Sequence, residues 1–74
     1  MEDLRRAVAR NLRRIRHESG FSQEELADRA GVDRSYISLL ENAEYNASVA
    51  MLGKLGKALG VEPSAFLAPL RKRR

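Results

Sequence analysis

The sequence predicts an all-α fold of five helices with a helix-turn-helix at helices 2 and 3, and three observations predict it. Residues 23–42 read as two short helical runs interrupted by Gly31, each preceded by a residue type that caps helices well, Ser22 and Asp33. Leu4, Val8, Leu12 and Ile15 fall at spacings of four, four and three, the stripe of one amphipathic helix. Gly20, Gly60 and Pro63 punctuate the remainder where helices should stop and start.

Helix 1 is predicted over residues 3–18, with the Leu4, Val8, Leu12 and Ile15 stripe inward and Gly20 as terminator, after which Phe21 turns into the core. Its other faces carry Arg5, Arg6, Arg10, Arg13, Arg14 and Arg16. Charge runs of this kind usually face water, and phosphate contact is expected chiefly near the entrance of helix 2. Helix 2 starts at Ser22, and Glu25, three residues past it, completes a capping box. Leu26, Ala27 and Ala30 face inward, with Ala27 small where backbones must approach. Gly31 can take the positive φ of a sharp turn without a Cβ clash. Helix 3 runs from about Asp33, its cap, to Asn42. Val32, Ile37 and Leu40 take the core side, which turns Leu39 outward.

Residues 42–47 form a polar loop, and Ser48 caps helix 4, predicted from Val49 to Leu59. In helix 4, Val49, Leu52, Leu55 and Leu59 point inward and Lys54 and Lys57 outward. Gly53 and Gly56 lower its intrinsic helicity, so packing must hold it, and such small residues also let a neighbour approach closely. Val61 re-enters the core, and residues 62–67 make a short fifth helix with Pro63 in its first turn and Phe66 buried.

Residues 1–70 therefore form one small domain, which buries only about 60% of its unfolded surface. The basic tail, residues 71–74, has nothing to bury and is expected to be disordered. Without cysteine there is neither a disulfide nor a thiolate zinc site, and His17 is the only histidine, so no metal role is expected. No nucleophile with its base and no phosphate-cradling glycine loop occurs, so neither an enzyme nor a cofactor is expected. No apolar run approaches the ~20 residues that span a bilayer, and no signal peptide is expected, since the N-terminal residues lack its charged and apolar regions. The expected location is the cytoplasm. A net charge of +4 with a pI near 10.1 favours a polyanionic partner, although such a balance also serves ordinary solubility.

Three runs carry a family resemblance: Phe-Ser-Gln-Glu-Glu-Leu-Ala at 21–27, Ala-Gly-Val at 30–32 and Tyr-Ile-Ser-Leu-Leu-Glu-Asn at 36–42. They resemble the helix-turn-helix of the Cro and phage-repressor family, often called XRE-like, and the likeness continues to Ala-Leu-Gly-Val at 58–61. Residues 33–38 are also similar to the restriction-modification controller proteins, a branch of that family. Family members usually carry glycine and proline where this chain has Ala43 and Ala47. The resemblance implies a lambda-repressor-like fold. It also implies a transcription regulator that binds double-stranded DNA at a roughly palindromic operator as a homodimer, with helix 3 in the major groove and no small-molecule substrate.

Site residues follow from the resemblance together with side-chain chemistry. Arg34 is the leading base reader, since a guanidinium can pair with guanine O6 and N7, and Asp33, Ser35, Ser38 and Leu39 complete the expected base-contact set, Leu39 through a thymine methyl. Phosphate contact is expected from Gln23 and Ser22 at the start of helix 2, from Tyr36, and from Asn42, Asn46 and Ser48 around the loop. The resemblance further implies a structural ion pair between Arg16 and Glu41 and a dimer contact at Leu67 and Leu70. A reading from another class is an antitoxin-like protein-interaction module whose DNA binding is secondary, because one fold serves both. A neighbouring toxin-like gene would favour it.

Overall fold

A computed structural model describes residues 3–69, so Leu70 and the basic tail, with the dimer and disorder expectations placed on them, lie outside the described residues. Four α-helices follow one another: α1 (Leu4–Glu18), α2 (Gln23–Ala30), α3 (Arg34–Glu41) and α4 (Val49–Leu59). The fifth element, Pro63–Leu67, is a 3-10 helix and not the expected α-helix. Only five residues separate Glu62 from Ala68, and Pro69 disfavours helical backbone at Ala68, which stands extended at ψ 136°, so the run is too short to develop α-helical bonding.

Every element sends at least one fully buried side chain to a common centre: Leu12 from α1, Leu26 from α2, Ile37 and Leu40 from α3, Leu55 from α4 and Phe66 from the 3-10 helix. Cores this small depend on each member, and truncating a buried Phe or Leu costs about 2–5 kcal/mol. Two expected core residues are corrected. Leu4 is 61% exposed and Val49 is 85% exposed. Both begin their helices, where the stripe continues in sequence after the core beneath it has ended. Their places on the inner edge are taken by Ala7 and Ala9 in α1, and Met51 and Leu59 pack partly against the core from α4.

The helix ends follow local chemistry. Ser22 accepts from the Glu25 amide at 3.0 Å while Glu25 Oε1 accepts from the Ser22 amide at 3.2 Å, a complete capping box. Gly20, Gly31 and Gly60 all take left-handed backbone, and after each the next amide bonds back five residues, Phe21 to Arg16, Val32 to Ala27 and Val61 to Gly56. Val32 and Val61 are thereby returned against the core, whereas Phe21, expected there, stays half-buried outside the core cluster with Arg29 over its ring. Asp33 occupies the N-cap of α3, but its carboxylate makes no cap hydrogen bond; it accepts instead from the Ser35 hydroxyl at 3.0 Å. A hydroxyl two residues along has displaced the backbone amide as partner, a competition typical of short polar side chains.

Asn11 is a clasp that sequence reasoning missed. Its amide donates to the carbonyls of Phe66 at 2.9 Å and Ala68 at 2.8 Å, while its oxygen accepts from Arg14 at 3.3 Å, so a buried polar group is satisfied on both sides. The two glycines of α4 differ sharply. A Cβ on Gly56 would stand 2.7 Å from the Val61 carbonyl oxygen, whereas one on Gly53 meets nothing within 4 Å. Gly56→Ala is therefore expected to destabilise by about 1–3 kcal/mol through backbone displacement, and Gly53→Ala to stabilise by about 0.5–1 kcal/mol through helix propensity. Thermal unfolding of the two variants should show melting temperatures moving in opposite directions.

Candidate nucleic-acid interface

Helix α3 has two faces because its apolar residues recur at helical spacing. Ile37, Leu40 and Glu41 are buried, while Arg34, Ser35, Leu39 and the following Asn42 are exposed and Ser38 is half-buried. At 100° per residue, positions 34, 38, 42, 35 and 39 occupy an arc of about 140°. One outward stripe thus carries a guanidinium, two hydroxyls, an apolar side chain and an amide. Leu39 is 37% exposed. A helix is about 10–12 Å across with its side chains, close to the ~12 Å width of a DNA major groove.

What orients this helix is a buried ion pair. Arg16 Nε lies 2.6 Å and Nη2 2.9 Å from the two carboxylate oxygens of Glu41, a bidentate arrangement, and Arg16 Nη1 donates to the Phe21 carbonyl at 2.8 Å. Both side chains are nearly closed to solvent. One guanidinium therefore fastens α1 to the end of α3 and to the strand of chain entering α2. Burial pushes the Glu41 carboxyl up, but hydrogen bonds from Arg16 and Gln23 and the charges of Arg16 and Arg13 outweigh it and hold the carboxyl below its ordinary range. The hydrogen bond to Glu41 raises Arg16 in turn, against burial. Arg13 adds a longer contact, 3.8 Å from Glu41 Oε1.

The pair extends outward through Gln23. Its Nε2 donates to Glu41 Oε1 at 3.1 Å, which fixes which way the amide faces, and its Oε1 then accepts from Arg34 Nη1 at 3.4 Å. Arg16, Glu41, Gln23 and Arg34 thus form one chain from the core to the exposed stripe. The second N–H of the Gln23 amide remains for an outside acceptor.

The other expected contacts sit around this stripe. Ser22 and Ser48 are exposed, with hydroxyls that accept cap bonds from Glu25 and Met51 and keep their own protons to donate. Asp33 is exposed and bonded to Ser35. Tyr36 is half-buried, its ring edge-on to Tyr45 with centroids 5.1 Å apart, which ties the loop after α3 back to the helix. Burial and Tyr45 raise the Tyr36 phenol, so it stays a neutral donor. Asn42 and Asn46 are exposed in that loop, where Ala43 takes the left-handed backbone, φ 59°, that a glycine would adopt at less cost. Leu67 is 40% exposed at the end of the 3-10 helix. Sequence reasoning did not find the Gln23 to Arg34 contact, because nothing in the spacing of residues 11 apart on two crossing helices reveals it.

Two short helices meeting through a left-handed glycine turn, the second presenting a polar stripe, define a helix-turn-helix domain. A family model described as helix-turn-helix matches residues 12–66, and the chain belongs to this XRE-like family. It is 40% identical over 72 residues to a hypothetical transcription factor of Neisseria meningitidis serogroup B, covering 97% of this chain and 68% of that protein. A crystal structure of a hypothetical transcription factor from Neisseria superposes with a TM-score of 0.87 at 42% identity, covering 90% of this chain and 77% of that one. The restriction-modification controller protein C.Esp1396I, crystallised as a tetramer with its natural 35 base-pair operator, gives a TM-score of 0.80 at 33% identity, covering 89% of this chain and 87% of that one.

Removing either member of the ion pair leaves a buried charge without its mate. Arg16→Ala and Glu41→Ala are each expected to cost about 3–5 kcal/mol, and an apolar double replacement, Arg16→Met with Glu41→Leu, to recover most of the loss. Because the Glu41 carboxyl is depressed in the folded state, its contribution is present above the unfolded carboxylate range near pH 4.5 and falls away as pH drops through the lower folded value. Urea unfolding from pH 7 to pH 3 should lose less stability in the double variant than in the parent chain.

Proposed function

We propose that this protein is a sequence-specific DNA-binding transcription regulator that grips a roughly palindromic operator as a homodimer. The observation that carries this reading is the outward stripe of α3, with Arg34, Ser35 and Leu39 exposed, Ser38 half-buried beside them, and the helix braced from behind by Arg16 and Glu41. Arg34 reads a guanine edge in the major groove, Ser35 and Ser38 bond neighbouring base edges, and Leu39 touches a thymine methyl. Asp33 is the remaining member of the base-contact set; bonded to Ser35, it orients that hydroxyl and accepts from a cytosine amino group where one is present.

Phosphates on either side of the groove are held by Ser22 and Gln23 at the opening of α2, where free amides and the helix dipole favour an anion, and by Tyr36, Asn42, Asn46 and Ser48. Leu67 and Leu70 form the two-fold contact, which sets the half-sites about 34 Å apart. Support comes from the controller protein C.Esp1396I, similar over most of its length and crystallised on its operator. The location proposed is the cytoplasm, where the DNA partner resides; among the described residues no helix is long and apolar enough to cross a membrane.

Selection of preferred duplexes from a random library, repeated at two salt concentrations, tests the reading. A symmetric site is expected, with binding that falls as salt rises. Arg34→Ala is expected to relax discrimination at one base pair per half-site at a cost of about 1–3 kcal/mol, while Gln23→Ala weakens all sequences and relaxes that same base pair by less. Unchanged site preference in Arg34→Ala would remove that residue from base reading.

A further inference from the structure

The end of α2 and the exposed side of α4 enclose a surface cleft of about 560 Å³ that the DNA-binding reading does not use. Arg29 walls it on one side and Lys54 and Lys57 on the other, with the methyl groups of Ala30 and Ala58 completing the lining. No carboxylate lines it. Among the described residues no hydrogen bond or ion pair engages Lys54 or Lys57, and Arg29 is placed by the Phe21 ring, its guanidinium carbon 4.4 Å from the ring centre. Helix dipoles account in part for Arg29 and Lys57, each in the last turn of its helix. They do not account for Lys54 in mid-helix, nor for three cations gathered around one cleft in a chain that has ten acidic residues.

The placement of α2 separates this cleft from the proposed groove reader. Helix α2 packs on α3 along one flank and on α4 along another, whereas α3 and α4 share little contact. Ser48, the last residue assigned to the phosphates, lies six positions before Lys54 and nine before Lys57, about 9 and 13.5 Å along the helix axis. Two lysines at i and i+3 share one face of α4, and an arginine opposes them across a floor of methyl groups. That pattern complements a polypeptide with carboxylates on both sides of a small apolar residue, more than it complements a continuous sugar-phosphate backbone.

We propose that this cleft is a docking surface for an acidic segment of a partner protein, occupied while the regulator sits on its DNA. The cations supply the steering charge, and Arg29, already stacked on Phe21, gives up little side-chain freedom on binding.

A fluorescein-labelled Glu-Ala repeat peptide, followed by anisotropy against the full chain with and without a saturating duplex, tests this. The peptide is expected to bind equally in both states. Lys54→Glu with Lys57→Glu is expected to weaken it by about tenfold or more, and Lys54→Gln with Lys57→Gln by less, both with duplex affinity and melting temperature held. Arg5→Glu with Arg6→Glu, which makes the same change in net charge on α1, is expected to leave the peptide bound. Displacement of the peptide by duplex, loss of duplex affinity in the lysine variants, an equal loss in the α1 variant, or no peptide binding would each overturn the proposal. The first two outcomes would assign the cleft to nucleic acid while leaving the proposed function standing.

Discussion

The structure depends on one buried contact, the bidentate pairing of Arg16 with Glu41. A 74-residue chain without cysteine has little core to spare, and an ion pair taken out of water adds little net stability against a well-packed apolar replacement. What it adds is direction. A planar guanidinium accepts a carboxylate in one orientation, and a third nitrogen on the Phe21 carbonyl fixes the chain entering α2 at the same time. Helices α1 and α3, which send Leu12, Ile37 and Leu40 into one apolar cluster, could slide on those contacts. The pair removes that freedom.

From this fixed point the arrangement passes outward by single hydrogen bonds. Glu41 selects the orientation of the Gln23 amide, and that amide presents its oxygen to Arg34. A long arginine on a solvent-facing helix loses considerable rotamer freedom when it must meet one base edge, so a preset partner lowers that cost. The same economy recurs in the loop after α3, where the Tyr36 ring meets Tyr45 edge-on and Ala43 accepts left-handed backbone. Rigid presentation of a few polar groups is the theme common to both.

Much of the fold could be read from local chemistry. The capping box at Ser22, the glycine turn at Gly31, the inward Leu26, Ile37 and Leu40, and the outward Leu39 all follow from spacing and residue type, which act over a few positions. The errors share a different origin. Leu4 and Val49 fit the periodic stripe, but periodicity says which side of a helix is inward and not where the core beneath it stops. The Asn11 clasp joins residues more than fifty positions apart, and no local pattern announces it. At residues 62–67 the termini were legible and the helix type was not, since α and 3-10 bonding compete closely in a run of five. The candidate site was legible as a set of positions; the hydrogen bonds that order those positions emerged only with the packing of α3 against α1 and α2.

The central claim is that the outward stripe of α3, braced through Gln23 by the buried pair, is the surface that meets DNA. Amide chemical-shift mapping during titration of the full chain with its selected duplex tests this directly. The account expects the largest changes at Gln23, Arg34, Ser35, Ser38 and Leu39, with α4 beyond its first turn nearly unmoved. Changes centred on the α1 arginines or on Lys54 and Lys57, with the α3 amides still, would contradict it.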